Sequence, residues 1–284
     1  MTAEPVPQAF RLADVAPAPG VAKPDPILVA EDVTKSFGGL CAVQVGRLEV
    51  QRGAITALIG PNGAGKTTLF NLLTGFDRPD SGRWSFDGRP LAGLPAYRVA
   101  RAGMVRTFQL TKSLTLLTVL ENLKLASMQQ PGERFFASLV RPLWRAPEED
   151  IERRADEMLA RFSLDRLRDD FAGTLSGGQR KLLELARALM AQPTMIMLDE
   201  PMAGVNPALT QSLLGHITKL RDEGMTILFV EHDMDVVMGI SDWVVCMAQG
   251  RLIAEGQPAS IGSDRAVIDA YLGAHHGRRA GGWA

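Results

Sequence analysis

The stretch Gly60-Pro61-Asn62-Gly63-Ala64-Gly65-Lys66-Thr67-Thr68 constrains this chain more than any other, because it follows directly on the apolar run Ala54-Ile55-Thr56-Ala57-Leu58-Ile59. A strand, a glycine-rich turn and a helix beginning near Lys66 are the setting a P-loop requires. Glycines let the backbone curl until successive N–H groups converge on one anion, and the helix N-terminus adds its partial positive charge. A nucleoside triphosphate fits there. Lys66 would reach the β- and γ-phosphates, the Thr67 hydroxyl would ligate the Mg²⁺ that bridges them, and Thr68 would support the same phosphates. The plainer reading is an ordinary glycine-rich turn before a helix. Against it stands the full G-x-x-x-x-G-K-T spacing behind a buried-type strand.

At 284 residues the chain has room for one large domain, or a large and a small one, with an ample core. A formal net charge of -1 argues against a dedicated nucleic-acid binder, whose affinity would rest on a basic surface. Cys41 and Cys246 both fall in apolar surroundings without ligand-like spacing, so buried reduced thiols and a cytosolic compartment are expected. No apolar run approaches the roughly 18 residues of a membrane span. A chain like this would serve a membrane from outside the bilayer.

Residues 1–26, with prolines at 5, 7, 17, 19, 24 and 26, read as a disordered leader and not as a signal peptide. Strands are expected over Ile27 to Val33 and Ala42 to Val50, with Lys35-Ser36-Phe37-Gly38-Gly39 between them. Phe37 is either a core residue or an aromatic placed to stack on a base. Gly75 is the expected C′ residue of the P-loop helix. A short strand ending at Asp87-Gly88, a helix from Pro95 to Arg101 and a strand from Met104 to Phe108 follow, the last delivering Gln109. From there to about Arg168 the pattern is helical, with a capping box at Thr118 and Glu121 and a helix from about Pro147 to Phe162. The intervening Gln129 to Arg145, rich in arginine and aromatics, reads either as packing on its own helical subdomain or as a membrane-surface or partner contact. The last third alternates strand and helix: Met195 to Leu198, a helix capped by Asn206 with Pro207 at N1 and closed by Gly224, Met225 to Val230, Met234 to Ile240, Trp243 to Ala248 and a hairpin at Gly250-Arg251. The tail from Gly273 reads as unstructured, with His275 and His276 an exposed pair that most simply does nothing.

Two further elements carry chemistry. In Leu175-Ser176-Gly177-Gly178-Gln179, Ser176 and Gln179 are spaced as a capping box ahead of a helix whose Leu182, Leu185, Ala186 and Leu189 share one face. This is either a second anion site, without a lysine, or simply the cap of a structural helix. In Met195-Ile196-Met197-Leu198-Asp199-Glu200, four apolar residues deliver two carboxylates to the end of a buried strand, where open α/β sheets bind ligands. Asp199 would hold Mg²⁺ through its water shell and Glu200 would polarise the attacking water, although both could instead cap the next turn. The following strand ends Phe229-Val230-Glu231-His232, and a histidine there is placed to touch the γ-phosphate.

With these residues in order, the sequence closely resembles the ATP-binding cassette family over about residues 27–272. The resemblance makes GPNGAGKTT the Walker A loop (Gly60, Pro61, Asn62, Gly63, Ala64, Gly65, Lys66, Thr67, Thr68), Phe37 the adenine-stacking aromatic and Gln109 the Q-loop glutamine, a metal ligand with a catalytic role. It makes LSGGQ the signature (Ser176, Gly177, Gly178, Gln179 against nucleotide), MIMLDE the Walker B with Asp199 on the metal and Glu200 catalytic, and His232 the switch histidine. It implies an α/β fold, a P-loop NTPase ABC cassette with a RecA-like core, an antiparallel β subdomain and a helical signature subdomain at about 110–190. It also implies ATP and Mg²⁺, and pairing of two cassettes so that Ser176 and Gly178 of one close over ATP held by Lys66 of the other. The D-loop reads Ala203-Gly204-Val205-Asn206 where many relatives end in aspartate, which keeps the N-cap and loses a charge.

Within the family, Lys35 to Leu40, Arg106-Thr107-Phe108-Gln109, the long insert, Glu231 to Met238 and Ile268-Asp269-Ala270-Tyr271-Leu272 resemble the branched-chain amino acid importers. That resemblance implies a peripheral subunit on the cytoplasmic face of the membrane, working with a second cassette, alike or different, separate permease subunits and, indirectly, a solute-binding protein, with no nucleic acid. The alternatives are the cassette of lipopolysaccharide export, with a similar D-loop style and C-terminus, and a soluble non-transport cassette ATPase.

Overall fold

The computed structural model describes residues 12–107, 114–127 and 141–276. In chain order its elements are β1 (Pro26–Phe37), β2 (Leu40–Gln51), β3 (Ile55–Ile59), α1 (Lys66–Leu73), β4 (Ser81–Phe86), β5 (Arg89–Pro90), α2 (Ala96–Arg101), β6 (Met104–Arg106) and α3 (Val119–Ala126). Then come α4 (Arg141–Arg161), α5 (Gly177–Met190), β7 (Met195–Asp199), α6 (Pro207–Asp222), β8 (Thr226–Val230), α7 (Met234–Ile240), β9 (Trp243–Ala248), β10 (Arg251–Gly256), α8 (Pro258–Gly262) and α9 (Arg265–His276). The chain divides into two compact units, one built from residues up to Gly93 and from Glu231 onward, the other from Leu94–Val230.

The first unit contains an antiparallel sheet in the order β2-β1-β4-β5, and the strands β10-β9-β3, of which β3 and β9 run parallel. Both β1 and β2 are longer than the sequence predicts, because the turn between them shrinks to Gly38-Gly39 and Phe37 pairs directly with Leu40. That turn, Asp87-Gly88 and Gln249-Gly250 all carry positive φ at both central residues, the geometry whose twist matches flanking strands. Every residue of β3 is buried, so its apolar run reads as a strand covered on both faces. Cys41 departs from the expectation of two buried thiols: one residue past the β2 start, at the hairpin tip, it is exposed, while Cys246 inside β9 is buried.

The described part of the leader also departs from expectation. From Leu12 it lies against the first unit: Val15 is buried, the Val21 N–H donates to Glu255 Oε1 at 2.7 Å, and the Lys23 N–H donates to Glu49 Oε2 at 2.6 Å. The Lys23 ammonium, itself buried, pairs with Glu255 Oε2 at 3.2 Å, and Trp243 Nε1 donates to the same oxygen at 3.1 Å. Proline-rich composition predicted looseness here. Buried charges in a leader must find partners, and those partners lie on β2 and β10.

The second unit carries the parallel strands β8-β7-β6, with Met195 to Asp199 facing Thr226 to Val230 in β8. Helices fill the rest, and their ends follow local chemistry. Thr118 accepts from the Glu121 N–H while Glu121 Oε2 accepts from the Thr118 N–H, and Asn206 caps α6 by accepting from the Leu209 N–H at 2.9 Å. α4 begins at Arg141, earlier than expected. The remainder of the arginine-rich and aromatic insert, and Gln109, lie outside the described residues. α9 continues to His276, so Gly273 to His276 are helical where an unstructured tail was expected.

Candidate active site

Gly60 closes β3, and its φ of 145° together with its surroundings admits no side chain: a Cβ would sit 2.1 Å from the Met247 carbonyl oxygen. At Gly65, with φ of 99°, a Cβ would meet the Ala42 carbonyl oxygen at 2.2 Å. The loop is therefore wedged between β9 and β2 by its own missing side chains. Lys66 opens α1, is 6% exposed, and bends its ammonium over the loop to donate to the Gly60 and Pro61 carbonyls at 2.7 and 3.1 Å. Asn62, Gly63 and Thr67 face outward, and Thr68 is half-buried. A glycine cradle with a cation held inside it fits a polyphosphate.

Phe37 is half exposed at the end of β1, so the core reading of this residue does not hold. Its partner Leu40 lies two residues before Ala42, whose carbonyl touches Gly65, which brings the hairpin tip beside the loop. An exposed ring there is available for stacking, with the Lys35 ammonium 5.2 Å from its centroid.

In the second unit Asp199 ends β7 with 3% exposure. Arg106, at the end of β6, reaches its Oδ2 at 2.6 Å, and both side chains are buried. The sequence offered Arg106 only as part of a resemblance; its pairing with the carboxylate was visible in no local pattern. A carboxylate is a hard oxygen donor of the kind Mg²⁺ takes. Glu200 has φ of 47°, an uncommon angle for a side-chain-bearing residue, and its N–H donates to the Val230 carbonyl at 3.0 Å. That hydrogen bond to the neighbouring strand end fixes the turn that lifts Glu200 out of the buried strand. His232, which belongs to the first unit, is exposed, its N–H donating to Glu231 Oε2 at 3.1 Å.

Ser176 caps α5: its Oγ accepts from the Gln179 N–H at 3.3 Å, and Gln179 Oε1 accepts from the Ser176 N–H at 2.9 Å. Ser176 and Gly177 are exposed, whereas a Cβ at Gly178 would come within 2.2 Å of Leu209 Cδ1. The capping reading and the anion reading are thus compatible, since the cap leaves the helix N-terminus open to solvent. A Cβ at Gly177 would lie 3.7 Å from the Gly204 carbonyl, which ties the signature to the D-loop within this unit.

Residues 43–203 match the family described as ABC transporter, and residues 251–277 match the family described as branched-chain amino acid ATP-binding cassette transporter. The chain is 44% identical over 250 residues to the high-affinity branched-chain amino acid transport ATP-binding protein BraF of Pseudomonas aeruginosa, covering 87% of this chain and 98% of that protein. It is 43% identical over 248 residues to the probable branched-chain amino acid transport ATP-binding protein LivG of Archaeoglobus fulgidus, covering 87% and 96%. Among solved structures, a nucleotide-free ATP-binding cassette from an ABC transporter superposes with a TM-score of 0.75 at 39% identity, covering 87% of this chain and 98% of that one. A cassette in its ADP conformation gives 0.75 at 38%, covering 87% and 99%.

Proposed function

The chain belongs to the ATP-binding cassettes of ABC transporters, and from that premise we propose that it is the ATP-hydrolysing subunit of a branched-chain amino acid importer. The observation that carries the activity is the P-loop itself, a cradle that admits no side chain at Gly60 or Gly65 and holds the buried Lys66 ammonium against its own carbonyls. Support for the cargo comes from identity along nearly the whole length of relatives named for that transport, together with the C-terminal match.

In this reading Gly60 to Thr68 bind the phosphates of ATP, Lys66 exchanges the loop carbonyls for the β- and γ-phosphates, and Phe37 stacks on the adenine. Bound Mg²⁺ would supply charge neutralisation on the phosphates, held by the Thr67 hydroxyl, by Gln109 and, through water, by Asp199. Glu200 takes the proton of the attacking water and His232 contacts the γ-phosphate. Ser176, Gly177, Gly178 and Gln179 offer the α5 N-terminus to nucleotide held on a second cassette, either another copy or a sister subunit.

No helix among the described residues is long and apolar enough to cross a membrane. As the ATP-hydrolysing subunit of such an importer, this chain would work at the cytoplasmic face of the membrane with separate permease subunits and, indirectly, a solute-binding protein. Residues 27–272 form the cassette, with the helical subdomain at about 110–190. Replacing Glu200 by Gln is expected to slow hydrolysis by about 10²–10⁴-fold and to accumulate an ATP-bound dimer, read by single-turnover hydrolysis and by light scattering. Parental turnover in that variant would remove Glu200 from the mechanism.

A further inference from the structure

The C-terminal segment has a direct line to the phosphate loop. Tyr271 lies on α9, and its hydroxyl oxygen accepts a hydrogen bond from the Gly60 N–H at 2.9 Å across 211 residues of sequence. Gly60 is then gripped on three sides: its amide by Tyr271, its α-carbon by the Met247 carbonyl of β9, and its own carbonyl by the Lys66 ammonium. The Gly60 amide is directed at the tyrosine hydroxyl, and a part-buried N–H needs an acceptor. Burial pushes the Tyr271 hydroxyl up to about 12 and the adjacent Cys246 thiol likewise to about 12, so both groups are neutral. The tyrosine falls within residues 251–277, the segment that matches the branched-chain amino acid ATP-binding cassette transporter family.

We propose that Tyr271 is a positioning residue for nucleotide binding: by holding the Gly60 N–H it fixes the Ile59–Gly60 peptide where β3 enters the loop, next to the Gly60–Pro61 peptide whose carbonyl holds the Lys66 ammonium, and so steadies the cradle before ATP arrives. This rests on the reading of Gly60 to Thr68 as the ATP site. Interactions equal in ground and transition states show in KM and not in kcat. One hydrogen bond of ordinary net strength corresponds to about three- to tenfold in affinity.

The experiment uses the full-length chain and the variants Tyr271→Phe, which keeps the ring, and Lys66→Ala. In nucleotide-free protein, Gly60 amide exchange is followed by ¹⁵N-resolved NMR; KM, kcat and melting temperature are then measured with MgATP. Tyr271→Phe is expected to speed Gly60 exchange at least about tenfold and raise KM about three- to tenfold, with kcat held within about twofold. An unchanged KM overturns the inference, whether or not the melting temperature falls, since a merely structural tyrosine would move stability alone. If Lys66→Ala loses nucleotide binding while Tyr271→Phe matches the parent, only the role of Tyr271 fails. If Lys66→Ala binds like the parent, the ATP site itself has been misplaced and the inference falls with it.

Discussion

At the scale of single residues, the loop depends on atoms that are missing. A Cβ at Gly65 would meet a backbone carbonyl at 2.2 Å, and backbone cannot step aside as a flexible side chain can. Gly63, by contrast, has φ of 80° but open space around it, so a methyl group there costs only the left-handed strain of about 1 kcal/mol. Gly65→Ala is therefore expected to lose the thermal shift given by ADP, and Gly63→Ala to retain most of it, in a melting assay with and without nucleotide. Equal retention by both would mean that the Ala42 carbonyl does not wall the loop. Arg106 shows the limit of reading residues from local pattern. Its partner Asp199 is 93 positions away, and only the pairing of β6 with β7 brings the two together.

Elements were legible where their signals are local. The caps at Thr118, Ser176 and Asn206, the closing Gly75 and Gly224, and the buried runs of β3, β7 and β8 all follow from side chains within a few positions. The leader was not, because Lys23 finds Glu255 across 232 residues, a contact that composition cannot signal. Nor was the environment of His216 on α6. Its ring packs 4.7 Å from that of Phe162, and burial first, then the charges of Arg161 and Lys219, hold its pKa below the ordinary histidine value. Arg161 is itself paired with Glu223 at 2.6 Å. A folded state that resists protonation loses stability once the unfolded chain binds the proton, below about pH 6.5. The melting temperature is thus expected to fall between about pH 7.5 and 5.5, and less steeply in His216→Leu. Identical slopes for the two proteins would show that His216 titrates freely in the folded state.

For the whole molecule, the family reading was reachable from sequence because its motifs are contiguous and ordered. The long-range wiring of Tyr271 to Gly60 and of Arg106 to Asp199 required the fold. The proposed function rests on the completion of two half-sites, a P-loop with Lys66 and a signature cap with Ser176, by another cassette. Mixing two variants tests it most directly. Lys66→Ala retains a working signature, Ser176→Arg retains a working P-loop, and each alone is expected to be inactive. If the halves meet between copies, an equal mixture regains up to about a quarter of parental ATP turnover, because half the dimers hold one intact site of two. If the mixture stays as inactive as its components while the parental chain hydrolyses ATP alone, the halves do not complete one another between copies.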